Sequence, residues 1–122
     1  MLGVAFRRDS QERLSSVFAQ GHAEAGIAGD DVVCAAASAI LQAAELGLTR
    51  YAGLAATTQR GDGRMRIGIP ATARDREDVK AILATAELAI EQLAWQFPVN
   101  VRITRAQEPD DLGPDVEFLG NP

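Results

Sequence analysis

The sequence predicts an α/β (α+β) fold: a two-layer sandwich in which a mixed sheet of about five strands carries two helices on one face. Three observations predict it. Short segments near residues 2–7, 13–22, 51–59, 65–69 and 99–103 carry strand-like patterns, mostly the alternation of a half-buried strand. Two longer segments, 32–46 and 75–97, repeat their apolar residues at the helical period. The order is strand, strand, helix, strand, strand, helix, strand, within a chain of 122 residues that suits one domain.

Each element has its own signal. Leu2, Val4 and Phe6 alternate with Gly3, Ala5 and Arg7, and Asp9-Ser10-Gln11-Glu12 then makes a turn. The alternation resumes from Arg13 to His22, so the first two strands form a hairpin. Glycines at 21, 26 and 29 mark a loop, expected to be mobile from Ala23 to Asp30. Asp31 is the expected N-cap of the first helix, which presents Val33, Ala37, Ile40, Ala44 and Leu48 to the core and stops at Gly47. Tyr51 to Gln59 reads as a strand, Gly61-Asp62-Gly63 as a turn, and Met65, Ile67 and Ile69 as the returning strand. Thr72 or Asp75 caps the second helix, whose inner face is Val79, Ile82, Leu83, Ala86, Ile90, Leu93 and Phe97. Val99, Val101 and Ile103 form the last strand. The expected boundary falls at residue 105, with 106–122 an acidic, mobile tail.

The chemistry concentrates in Gly21–Ser38, which holds the only histidine, His22, and the only cysteine, Cys34. An imidazole at a strand end, beside a thiol in the first turn of a helix, is what a cysteine nucleophile with a general base requires. The helix start favours the thiolate through its dipole and its unpaired N–H groups. Those N–H groups, that of Cys34 first, are the expected oxyanion donors. Gly21-His22-Ala23, a spacer closing on Gly29, then Asp31-Val32-Val33-Cys34-Ala35-Ala36 and Ser38 resemble the signature of the ribosomal-processing cysteine protease family, Prp. The likeness extends over about residues 1–105. It implies His22 and Cys34 as the catalytic dyad, with Gly21, Ala23, Gly29, Asp31 and Ser38 in support. It further implies a cysteine endopeptidase. The substrate would be the N-terminal extension of large-subunit ribosomal protein twenty-seven, cut after an aromatic and before a small residue. Where many members carry Gly-Tyr, this chain has Glu24-Ala25. The alternative is a ribosome-associated binding module of the same fold that leaves Cys34 unused.

Charge and composition narrow the partners. Five of the 17 acidic residues, Glu108, Asp110, Asp111, Asp115 and Glu117, follow Arg105 with no basic residue among them. The remainder, with 12 lysines and arginines, is near neutral and has no basic stripe, which argues against direct nucleic-acid binding. One cysteine makes no internal disulfide, in keeping with the cytoplasm. One histidine and one cysteine do not make a metal-ligand set, so neither metal nor cofactor is expected. No signal peptide and no apolar run long enough to span a membrane are read. Ala81, Ala84, Leu88 and Trp95 form a second apolar stripe on the second helix, which predicts a homodimer.

Overall fold

The computed structural model describes residues 1–21, 28–55, 57–61 and 63–108. β1 (Leu2–Arg8) and β2 (Leu14–Gln20) pair antiparallel, from Gly3 opposite Gln20 to Arg7 opposite Ser16. β3 (Thr57–Gly61) and β4 (Arg64–Gly68) form a second hairpin, and β4 lies against β2. Gly63, at φ +69°, supplies the left-handed residue between them. β5 (Val101–Gln107) runs parallel to β1, giving the order β3-β4-β2-β1-β5. A parallel neighbour cannot be reached by a tight turn, so the chain crosses over through a helix first.

Both helices, α1 (Ala28–Leu46) and α2 (Glu77–Gln96), cover the sheet face that presents Leu2, Val4, Phe6, Val17 and Ala19. Val33, Ala37 and Leu41 of α1 and Ile90 and Leu93 of α2 meet these residues in one core cluster. A second cluster joins Leu48, Ile67, Ile69, Val79 and Leu83. Each of the valine, leucine, isoleucine and phenylalanine side chains contributes roughly 1.5–3 kcal/mol on burial, which fixes the helices against the sheet.

Several expectations need correction. α1 begins at Ala28, three residues before the expected cap. Asp31 is therefore the fourth helical residue rather than the N-cap, and Gly29 lies in the first turn rather than in the loop. Ala28 propagates a helix well, and Asp30 and Asp31 bring negative charge to the turn where the dipole favours it. Cys34 moves accordingly from the first turn to the end of the second.

On the inner face of α1, Leu41 is buried and Ile40 only partly so, one position round from the expected stripe. Nor does Gly47 stop the helix. The chain widens into a single π-helical turn, Gly47–Tyr51, which carries Leu48 into the core and removes Tyr51 from the expected strand. A Cβ on Gly47 would stand 3.3 Å from the Ile82 side chain, so glycine there lets α2 come close. The stop is at Gly53, φ +70°, with the Leu54 N–H donating to Leu48 O at 2.9 Å.

Neither Thr72 nor Asp75 caps α2. Its N-cap is Arg76, and Asp75 instead accepts a 2.8 Å bond from Arg13. Val99 is exposed ahead of β5, and Phe97 is partly exposed at the end of α2. The segment Val32–Tyr51, 20 residues of mean hydropathy 1.6, is also long and apolar enough to cross a membrane, contrary to expectation. Here its Val33, Ala37, Leu41, Ala44 and Leu48 are buried in the core.

The end of the sheet holding the β1–β2 turn is closed by buried charge. Asp9, 1% exposed, accepts bonds from Arg13 Nε and Arg74 Nη1, both at 3.0 Å, and from the N–H groups of Gln11 and Arg13. Burial pushes its carboxyl up, but the Arg13 N–H, the Arg74 guanidinium, the Gln11 N–H and the Arg13 guanidinium outweigh it and hold it at about 2. Glu108 is also buried. Its carboxylate accepts from Ser15 Oγ at 2.8 Å, Ser16 Oγ at 3.1 Å and Arg66 Nη2 at 3.3 Å, and its N–H donates to Arg8 O at 2.8 Å. The fold thus runs to Glu108, past the boundary expected at 105, and Glu108 belongs to the domain rather than to the tail. The rest of the expected tail, 109–122, lies outside the described residues.

Candidate active site

At the opposite end of the sheet the strands stop on glycine. Gly21 follows β2, and its N–H donates to Gly63 O at 2.9 Å. A Cβ on Gly21 would lie 2.5 Å from Met1 O and 2.9 Å from Leu2 Cα. Only glycine therefore lets β2 leave the sheet here, under the first residues of β1. Its φ of +155° is a further obstacle to a side chain.

α1 crosses in front of this end and presents Cys34, half-buried at the edge of the core. A cleft of about 240 Å³ opens between α1 and the β3–β4 hairpin. Its floor is apolar, from Leu2, Ala19, Leu41 and Met65. Gly21, Gly61 and Gly63 line it without side chains, and Arg60 and Arg64 stand on the hairpin wall. Cys34, Ser38 and Gln42 line the helix wall at intervals of four residues, so they form one row along α1. That row spans about 12 Å at the helical rise, the length of three or four residues of extended chain.

The far end of the cleft is braced. Arg60 Nη2 donates to Glu45 Oε1, tying the hairpin to α1. Burial of Glu45 raises its carboxyl, but the Thr58 hydroxyl and the Arg60 guanidinium reverse this and hold it below the ordinary range. The Arg60–Glu45 pair thus cross-links the hairpin wall to the helix wall.

The structure brings Gly21, Cys34 and Ser38 to one cleft. His22 and Ala23 lie outside the described residues, as does most of the loop expected to be mobile; its last residues, 28–30, are helix. Gly21, which lines the cleft, is the residue to which His22 is bonded. Gly29 and Asp31 belong to the start of α1. Because Cys34 is the seventh helical residue, its N–H falls where the helical ladder already supplies a carbonyl partner. The oxyanion donor expected there is therefore misplaced, and the dipole, which acts mainly in the first turn, favours the thiolate less than expected. Sequence reasoning missed Gln42, Arg60, Arg64 and Met65 as cleft residues. Gln42 was legible as eight residues beyond Cys34 on the same face; the arginines were not, because only strand pairing sets them opposite α1.

The protein-family model described as cysteine protease Prp matches residues 1–102. A Streptococcus mutans protein of known structure is similar at 28% identity and TM-score 0.79, over 88% of this chain and 99% of that one. The fold is also that of a Staphylococcus aureus protein described as an essential ribosomal processing protease Prp, solved in complex with a substrate peptide. That protein is 23% identical with TM-score 0.69, over 86% of this chain and 99% of that one. No curated protein matches the sequence significantly.

Proposed function

The chain belongs to the Prp cysteine protease family, and from that membership and the cleft we propose that it is a cysteine endopeptidase with Cys34 as nucleophile and His22 as base. The observation that carries the reading is that Cys34 and Gly21, the residue bonded to His22, line one open cleft with an apolar floor. His22 takes the proton of the Cys34 thiol, and Sγ attacks the scissile carbonyl carbon. The tetrahedral intermediate collapses as His22 returns the proton to the departing amine, leaving a thioester. Water, activated by His22, then frees the acyl group and restores the thiol. With Cys34 beyond the first turn of α1, activation of the thiol rests chiefly on the imidazole.

The substrate in this reading is the N-terminal extension of large-subunit ribosomal protein twenty-seven, and the reaction takes place in the cytoplasm. The Staphylococcus aureus relative, a ribosomal processing protease, was solved both with a substrate peptide and with a covalently linked product peptide, which supports a peptide substrate and a covalent step. The protein works as a homodimer, a state supported by the exposed stripe through Leu88 and Trp95. The test is to mix the protein with the extended ribosomal protein from the same genome and weigh the products. The expected result is one cut after an aromatic residue, absent with Cys34→Ala. Cleavage undiminished in Cys34→Ala would overturn the assignment.

A further inference from the structure

Among the described residues that line the cleft beside Cys34, two are charged, Arg60 and Arg64, and both stand on the hairpin wall. Arg60 is the one directed at α1. It lies opposite Met65 in the hairpin, and Met65 packs against the core, so Arg60 shares the sheet face that the helices cover. Its Nη2 donates to Glu45 Oε1 on α1. Glu45 is one helical turn beyond Gln42, which sets the guanidinium beside the Gln42 end of the row Cys34, Ser38, Gln42. Glu45 aims this guanidinium without exhausting it. A guanidinium has five N–H donors in one plane and two edges on which paired N–H groups point the same way. A single bond to Nη2 engages one hydrogen and leaves one such edge whole. Among the described residues, no further acceptor meets the Arg60 guanidinium, and none bonds the side-chain amide of Gln42. The Arg60 side chain is 52% exposed against 17% for Glu45, so the carboxylate is fixed in the protein and the guanidinium is presented to the cleft.

From Cys34 to Gln42 is about 12 Å of helix, or between about three and four residues of extended peptide. A peptide whose scissile carbonyl lies at Cys34 Sγ therefore brings its third or fourth neighbouring residue to Gln42 and Arg60. We propose that Arg60, with Gln42 beside it, is a specificity-determining subsite for an aspartate or glutamate side chain three or four residues from the scissile bond of the substrate peptide. The whole edge of the guanidinium donates two parallel bonds to that carboxylate, and the Gln42 amide donates a third. A lysine or arginine at the same position meets a like charge instead. Glu45 is the positioning residue, because it holds the guanidinium in place before the peptide arrives. The subsite rests on the protease reading for the position of the scissile bond.

The probes are peptides spanning the cut of the extended ribosomal protein, each with Asp, Asn or Lys at the third or fourth position on one side of the bond. Their kcat/KM is measured, and their binding to the Cys34→Ala variant is followed by calorimetry, so the preference is read even where no bond is cut. At one position Asp should exceed Asn about tenfold, the scale of one hydrogen bond to a charged group, and Lys should fall below Asn. Added salt should narrow the gap. Arg60→Ala should bring the Asp-to-Asn ratio close to one, Arg60→Lys should keep part of it, and Glu45→Gln should lower it. Arg60→Glu should reverse the preference toward Lys at that same position, a result that a merely damaged cleft would not give. Equal handling of Asp and Asn at all four positions overturns the subsite, and so does a preference that survives Arg60→Ala. Asp-selective binding that depends on Arg60, with no peptide cut, would overturn the protease reading and leave the subsite standing.

Discussion

The two ends of the sheet have been put to different uses. At the end holding the β1–β2 turn, the Asp9 carboxylate accepts four hydrogen bonds and that of Glu108 three, and both are buried. At the other end the strands finish at Gly21, Gly61 and Gly63, and the space they leave is the cleft beside Cys34. Buried charge that is fully bonded gives rigidity and a defined register, but it leaves nothing for a ligand. Missing side chains give room and access, and they cost local packing. The difference teaches that buried charge and open space are separated along the strand direction, so substitutions at one end should not reproduce the effects of the other.

The largest expected contrast comes from Cys34→Ala. Peptide cleavage should fall at least a hundredfold, while stability changes by only about 1 kcal/mol, because the side chain is small and at the core's edge. Progress curves with a peptide substrate and a thermal melt measure the two. Glu108→Ala should do the reverse. It leaves Arg66 buried beside a lost carboxylate, at a cost of about 3 kcal/mol, read as a drop in denaturation midpoint with kcat retained in the remaining folded protein. If Glu108→Ala instead removed activity without unfolding, the separation of the two ends would fail.

Gly21→Ala probes the hinge between stability and site. The added methyl meets Met1 O and Leu2 Cα, so β2 must shift and His22 with it. Cleavage should drop on the order of tenfold, with stability lowered by ~1–2 kcal/mol, a split that kinetics on the folded variant would reveal. The smallest effect is in acid. The Asp9 carboxyl is held at about 2, below its unfolded value, so its contribution is complete above about pH 4. It is lost as pH falls toward 2, and Asp9→Asn should flatten the stability curve in that window. An unchanged acid limb in Asp9→Asn would mean that its four bonds contribute nothing specific.

Much of this was legible from residue pattern. The strand alternations and the two helical periods gave the element order, because burial on one face leaves a mark at every second or every third to fourth residue. Helix ends were less legible. Asp31 has the chemistry of a cap, yet Ala28 and Gly29 continue the helix before it, and Asp75 is drawn to Arg13, 62 residues away in sequence. Gly47 looks like a stop, but its missing Cβ is spent on the approach of α2. In each case a tertiary contact overrode a local preference. That Cys34 and Gly21 come near each other was legible, and they line one cleft, whereas Arg60 and Gln42 on facing walls needed the pairing of β3 with β4 and its brace to Glu45. Glu108 read as tail because nothing in its neighbours shows that Ser15, Ser16 and Arg66 await it.

The central claim is that His22 activates Cys34, since the helix start lies too far from the sulfur to do so alone. The most direct measurement is the rate of Cys34 alkylation by iodoacetamide as a function of pH, in the unaltered protein and in His22→Ala. Cys34 is the only cysteine, so the whole signal belongs to it. The account predicts alkylation at neutral pH faster than that of a simple thiol, and a His22→Ala profile returned to one midpoint near the ordinary cysteine value of about 8.5. Identical profiles for the two proteins would contradict it.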